Sequence, residues 1–308
     1  MRAEIISRMP PSWQQKTKLD IFNIRNCPPR IENPKAYIMA RSVPTIECAK
    51  GFVEYLEEME NTIGTCYATI AGLALASGYE ERSDVVRAID LFNQIVAELP
   101  WAKFGSYHES LMVKEFLNGK IDFLAFHEYG NDFVAGLISL KANLTGEKRD
   151  VGNCIIAASI FALLAISKGF LAGEGREVHK LHDTALLPGQ TVFEKVGLSS
   201  DLYILPREGN YFFSHSFSFV SSLLIYQTFH SLEFAKSYKP PKENLEYFLA
   251  KLDLAEAISP FYVRLYDLKA RVYKLMEQDE SRAEYYGYEK AIKEYLREPF
   301  FNHFWLDA

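Results

Sequence analysis

The chain has 308 residues, 48% of them hydrophobic and 24% charged, a composition that fits a folded globular protein and excludes extended disorder. Its formal net charge of −6 has the wrong sign for a nucleic-acid binder that neutralises phosphates, and no Lys/Arg run offsets it. The most apolar run, Cys154 to Ile166, is shorter than the roughly 20 residues of a bilayer span, so the sequence predicts neither nucleic acid nor membrane as a partner.

Residues 1–44 read as an irregular N-terminal arm, and residues 45–308 as a single helical domain. The arm holds Pro28, Pro29, Pro34 and Pro44. Proline lacks an amide proton and restricts the residue before it, so this stretch is predicted as coil laid over the surface. No apolar leader opens the chain, and the four cysteines (Cys27, Cys48, Cys66, Cys154) show no C-x-x-C spacing. Free thiols in a reducing cytoplasm are the expectation.

After Pro44 the apolar residues recur at three and four. Ile46, Ala49, Phe52, Val53, Leu56 and Met59 predict an amphipathic helix. "TCYATIAGLALASG" predicts a second helix of small residues that stops at Gly78. The next begins at a capping Ser83 or Asp84, buries Val85, Val86, Ile89, Phe92, Ile95, Val96 and Leu99, and ends at Pro100. Further helices are predicted over 106–118, 120–142 and 152–171, and a short one over 176–187, closed by Pro188-Gly189.

Residues 201–220 break the pattern. Phe213, His215, Phe217 and Phe219 alternate with serines, and "PREGN" separates them from "DLYIL". Period two with aromatic enrichment predicts a small β-hairpin; the rival reading is one long helix, and helix resumes by Ser221 in either case. The last third carries three helical stripes: Leu245, Phe248, Leu249, Leu252 and Ala255; Leu265, Leu268, Val272, Leu275 and Met276; Tyr285, Tyr288, Ile292, Tyr295 and Leu296. Short connections make successive helices hairpin neighbours. The predicted fold is all-α, built of antiparallel helical hairpins as a bundle or short solenoid.

The segment Tyr67 to Pro100 resembles a tetratricopeptide (TPR) repeat. Tyr67, Ile70, Ala71, Ala74 and Gly78 stand where the first helix of that motif puts its aromatic, apolar and small residues. Ala88, Phe92, Ile95 and Pro100 follow the spacing of its second helix, after an insertion at Tyr79 to Ser83. Tyr266, Ala270, Tyr273, Tyr288 and Ala291 form a fainter second trace. The resemblance implies a helical scaffold whose groove binds a peptide or protein, with no catalytic residues and no cofactor.

Chemistry is sparse. There is no G-x-S-x-G elbow and no P-loop; His108-Glu109 and His127-Glu128 both fail H-E-x-x-H, at Met112 and Asn131. "HEYGND" reads as a turn at Gly130 or as a polar pocket. The one candidate metal site is "GREVHKLHD". On the predicted helix His179, His182 and Asp183 fall at i, i+3 and i+4 and could hold one divalent metal ion, while Val178, Leu181 and Ala185 face the core. The His182-Asp183 pair resembles the dipeptide of the HD-domain phosphohydrolases, a resemblance that implies a metal-dependent hydrolase. Phe300, Phe301, Phe304 and Trp305 end the chain with an aromatic group that either docks on its own core or joins two copies in a homodimer. The main expectation is a non-catalytic protein-binding scaffold of adaptor, regulator or toxin-neutralising type, its acidity suited to a basic partner surface. The alternative is the HD-like hydrolase.

Overall fold

The computed structural model describes residues 2–12, 31, 33–99, 131–147, 149, 151–167, 171–177, 182–187, 211–214, 217–234, 240–260 and 262–297. The helices are α1 (Arg2–Ser7), α2 (Pro34–Met39), α3 (Ala49–Ile63), α4 (Thr65–Ala76), α5 (Arg82–Glu98), α6 (Phe133–Leu144), α7 (Cys154–Ser167), α8 (Ser218–Phe234), α9 (Lys242–Ile258), α10 (Val263–Leu275) and α11 (Asp279–Arg297). Three short strands, β1 (Leu171–Glu177), β2 (His182–Leu187) and β3 (Tyr211–Ser214), stand between α7 and α8. The described fold is helical hairpins with one small sheet.

Helix α4 is the hub. It packs against α3, α5, α6, α7 and α8, so it has no face left for water, and Thr65, Cys66 and every residue from Ala68 to Ala76 are buried. This explains its composition: small residues let five neighbours approach. Gly72 shows how closely, since a Cβ there would stand 2.9 Å from Val220 Cγ2 and 3.1 Å from Leu56 Cδ2. Its last turn closes at Gly78 (φ 91°), where the left-handed backbone lets Tyr79 N–H donate to Ala74 O at 3.1 Å. In contrast α3 buries one stripe, Phe52, Tyr55, Leu56, Met59 and Ile63, and turns its glutamates outward except Glu60, which accepts from Thr65 Oγ1 at 2.8 Å.

Helix α7 is the second fully enclosed element, with every residue from Ile155 to Ile166 buried. It lies among α4, α6 and α8, and β1 and β2 cover its remaining side. The short apolar run read as a buried helix is therefore one. Among the described residues no helix is long and apolar enough to cross a membrane.

The sheet corrects the reading of 176–187. Its described residues are strand: β1 pairs antiparallel with β2, with Arg176 opposite His182 and Gly175 opposite Asp183. The physical reason is neighbourhood. The helical pattern at 176–187 is short, and a pairing strand beside it satisfies the same backbone groups. Of the stretch read as strand, Tyr211–Ser214 is β3, whereas Phe217 is a turn residue and Phe219 lies in α8; β3 pairs with β1, giving the order β2-β1-β3. Residues 201–210, its expected hairpin partner, lie outside the described residues. So do the predicted helix at 106–118, the first part of that at 120–142 and the C-terminal aromatics. Helix resumes at Ser218, three residues before the latest position read from the sequence.

The arm read as irregular coil carries α1 and α2 among its described residues, and both dock. Asn33 Oδ1 caps α2 by accepting from Ala36 N–H at 3.1 Å, and α2 lies on α5. α1 packs on α11, where Arg8 pairs with Glu294 at 2.7 Å.

Candidate functional site

A cleft of about 380 Å³ opens where the C-terminal turn of α4 meets α8, α9 and the segment leading into α6. Its lining comes from four places: Ala76, Ser77 and Gly78; Asn131; Gln227, His230, Ser231 and Phe234 of α8; Tyr247 and Lys251 of α9. The volume lies within the range of small-ligand sites.

Capping places these residues. Asp132 caps α6, its Oδ1 accepting from Ala135 N–H at 2.9 Å, and its Oδ2 accepts from Tyr79 O–H at 2.9 Å. Burial and this bond to the carboxylate together push the Tyr79 phenol up to about 12. Ser77 Oγ accepts from Phe133 N–H at 2.9 Å and donates to Leu73 O at 2.8 Å. Asn153 caps α7, its Oδ1 accepting from Ile155 and Ile156 N–H at 3.1 Å, and its Nδ2 donates to Asn131 Oδ1. The end of α4 and the starts of α6 and α7 are thus tied into one polar frame.

Gln227 connects that frame to α9. Its Nε2 donates to Ala76 O at 2.9 Å and to Asn131 O at 3.1 Å. Both amide protons are used, so Oε1 must face the other way, where it accepts from Lys251 Nζ at 3.0 Å. Lys251 Nζ also stands 4.8 Å from the centre of the Tyr247 ring, one helical turn earlier. The His230 ring packs against Tyr226 at 5.3 Å and Phe229 at 5.5 Å.

The electrostatics follow from the lining. None of its described residues is acidic, and among them Lys251 brings the single fixed positive charge. Burial without a carboxylate disfavours the ammonium and lowers its pKa from 10.5 to about 8. The opposite case lies across α9. Lys269 of α10, 1% exposed, meets Glu256 Oε2 at 2.5 Å and Asp253 Oδ1 at 2.6 Å, with the Tyr285 ring centre 5.0 Å away. Burial opposes that charge too, but the two carboxylates outweigh it and hold its pKa above the ordinary 10.5. Ser12 Oγ donates to Glu256 Oε1 at 2.6 Å, and Tyr266, Tyr273, Tyr285 and Tyr288 pack their rings around the pair. In this cluster the buried ammonium meets two carboxylates; in the cleft Lys251 meets the neutral amide oxygen of Gln227.

Neither a family model, nor a curated protein, nor a solved structure matches the chain. The site must therefore be read from its own groups.

The candidates read from the sequence fall elsewhere. His182 and Asp183 are neighbours on β2, and a strand alternates its residues between two faces, so the i, i+3, i+4 arrangement that was to hold a metal does not form there. His179 lies outside the described residues, as do His108, Glu109, His127 and Glu128. Of "HEYGND", Asn131 and Asp132 are described; Asp132 is a helix cap and Asn131 lines the cleft. Among the described residues no group of three or more His, Cys, Asp or Glu side chains is placed to hold a metal ion.

Gln227, His230, Phe234, Tyr247 and Lys251 were not singled out in the sequence. A signal did exist for Lys251. It stands three residues after Phe248 and four before Ala255, on the edge of an apolar stripe, where a charge calls for a partner. Lys269 stands in the mirrored position, four residues after Leu265 and three before Val272. Spacing alone does not show that the second lysine has carboxylates and the first a glutamine.

Proposed function

We propose that the chain is a non-catalytic helical scaffold that holds a segment of another protein in the cleft around Lys251. One observation carries this reading. Among the described residues the exposed large hydrophobic side chains are Met39, Phe234, Tyr247 and Tyr286, and two of these four, Phe234 (55% exposed) and Tyr247 (37%), stand on the rim of one cleft. Aromatic side chains around a partly desolvated charge are the usual anchors of protein recognition. The TPR resemblance supports the same reading, because it implies a peptide-binding groove and its residues lie on α4 and α5, the first of which ends in the cleft. Adaptor, regulator and toxin-neutralising roles are forms of this scaffold, acting in the cytoplasm. The net charge of −6 would draw a partner with a basic surface. The alternative, an HD-like hydrolase using His179, His182 and Asp183, has less support, since His182 and Asp183 stand on a strand paired with β1.

The test is site-specific photo-crosslinking in the cell of origin. A benzophenone side chain at position 234 is expected to give one discrete adduct, absent when the same group is placed at Tyr286. No adduct from position 234, or the same products from both positions, would overturn the proposal.

A further inference from the structure

Resting on the scaffold reading, we infer that the cleft recognises the free C-terminal carboxylate of its partner's segment, with Lys251 taking the carboxylate and the rim aromatics Phe234 and Tyr247 taking an apolar last side chain. The charge balance is the first argument. Among the described lining residues a single ammonium stands with no carboxylate, so an anion is the occupant that completes it. Gln227 accepts one of the three ammonium protons, and no carboxylate of the described residues pairs with Lys251. Gln227 is itself fixed by the carbonyls of Ala76 and Asn131, which prevents its amide from turning and holds Nζ toward the cleft.

The kind of anion follows from the number and surroundings of the charges. One lysine and no arginine suit a monoanion better than a phosphate, which recruits several cationic donors. The helix end at the cleft does not oppose an anion strongly, because its last carbonyls are taken: Leu73 O by Ser77 N–H, Ala74 O by Tyr79 N–H, Leu75 O by Gly78 N–H and Ala76 O by Gln227. The spacing of the anchors then selects a chain end. Nζ is 4.8 Å from the Tyr247 ring centre, so the ligand must offer its charge and its apolar group side by side. A C-terminal residue does this, since its carboxylate and side chain share one Cα. An internal Asp or Glu carries the charge on its own side chain and the apolar group on a neighbour.

Three blocked probes test the assignment on the full chain at pH 7 by calorimetry or by NMR titration. They are N-acetyl-phenylalanine, N-acetyl-phenylalaninamide and N-acetyl-glutamyl-phenylalaninamide. The free acid is expected to bind, and the amide to bind about tenfold more weakly or worse, the loss of one charge-assisted hydrogen bond. Lys251→Met should erase the preference for the acid and Lys251→Arg should keep part of it. Phe234→Ser should weaken the acid without changing that preference. Equal binding of acid and amide, or an unchanged preference in Lys251→Met, overturns the carboxylate assignment. Binding of the glutamyl probe as tight as that of the acid overturns the chain-end assignment. The two proposals fail separately. Adducts from position 234 with no acid preference leave the scaffold standing and remove the carboxylate, whereas an acid preference without adducts keeps the site and removes the protein partner.

Discussion

Replacing Lys251 with methionine should make the protein more stable at neutral pH, the reverse of what truncating a hydrogen-bonded residue in a partly buried position usually does. Burial lowers the pKa of this ammonium from 10.5 to about 8. At about 1.4 kcal/mol per pH unit, the charged form is then roughly 3 kcal/mol less favourable in the folded chain than in the unfolded one. Methionine keeps an unbranched stem and removes the charge. It also removes the bond to Gln227 Oε1, worth about 1 kcal/mol. The net gain is about 2 kcal/mol at pH 7, a rise of about 3 °C in Tm for a chain of this length. The pH dependence follows from counting protons. Below pH 8 the lysine is charged in both states and the penalty is fully present. Between about 8 and 10.5 the folded protein has released its proton while the unfolded chain keeps it, so the parent gains stability as pH rises and the advantage of methionine shrinks. Urea unfolding of parent and variant at pH 7 and pH 10 measures both effects. A variant less stable than its parent at pH 7, or an advantage that grows with pH, would refute the reasoning.

The same substitution one helix away should have the opposite sign. Lys269→Met leaves Glu256 with the Ser12 hydroxyl but no cation in a mostly buried position and should destabilise by about 3 kcal/mol, read as a lower urea midpoint at pH 7. Gly136→Ala places a Cβ 2.5 Å from Ile156 Cγ2 and 2.7 Å from the backbone oxygen of Val151. A backbone carbonyl cannot swing aside, so this variant should lose about 2 kcal/mol after the helix-propensity gain, whereas Gly72→Ala, which meets only side-chain ends, should stay within about 1 kcal/mol of the parent by the same unfolding assay. Cys66 is buried, and its thiol is held far above the usual range by desolvation, whereas Cys48 is exposed. Iodoacetamide labelling of the native protein followed by peptide mapping should modify Cys48 and spare Cys66; rapid labelling of Cys66 would contradict its enclosure.

The helical elements were legible because their signals are local. Phe52, Leu56, Met59 and Ile63 declare the buried face of α3 by spacing alone, and the continuous apolar run of α7 declares burial on all sides. The sheet was half legible. Aromatic enrichment around Phe213 marks a strand near Tyr211–Ser214, although the aromatic–serine alternation itself runs on through Phe217 and Phe219 into a turn and α8; the residues that pair with β3 are Glu174 to Glu177, and no local pattern names a partner so far back in the chain. The other pairing of β1, with β2, places His182 and Asp183 on a strand rather than on the expected helix. The cleft was the least legible feature, because it is made by convergence. Lys251 and Gln227 are 24 residues apart and Gln227 and Ala76 are 151 apart. Each is an unremarked polar residue until the helices that carry it meet.

The docking of α1 on α11 bears on how the protein is made. Arg8 and its partner Glu294 are separated by 286 positions, and Ile5 and Met9, buried in the finished fold, lie at the same end of the chain. During synthesis at about 5–20 residues per second, α1 leaves the ribosome roughly 15–60 s before α11 exists to cover it. For that interval α1 lacks the helix on which it docks. Completion of α11 supplies the surface on which α1 docks, and a ribosome stalled before Asp279 would hold α1 without that surface.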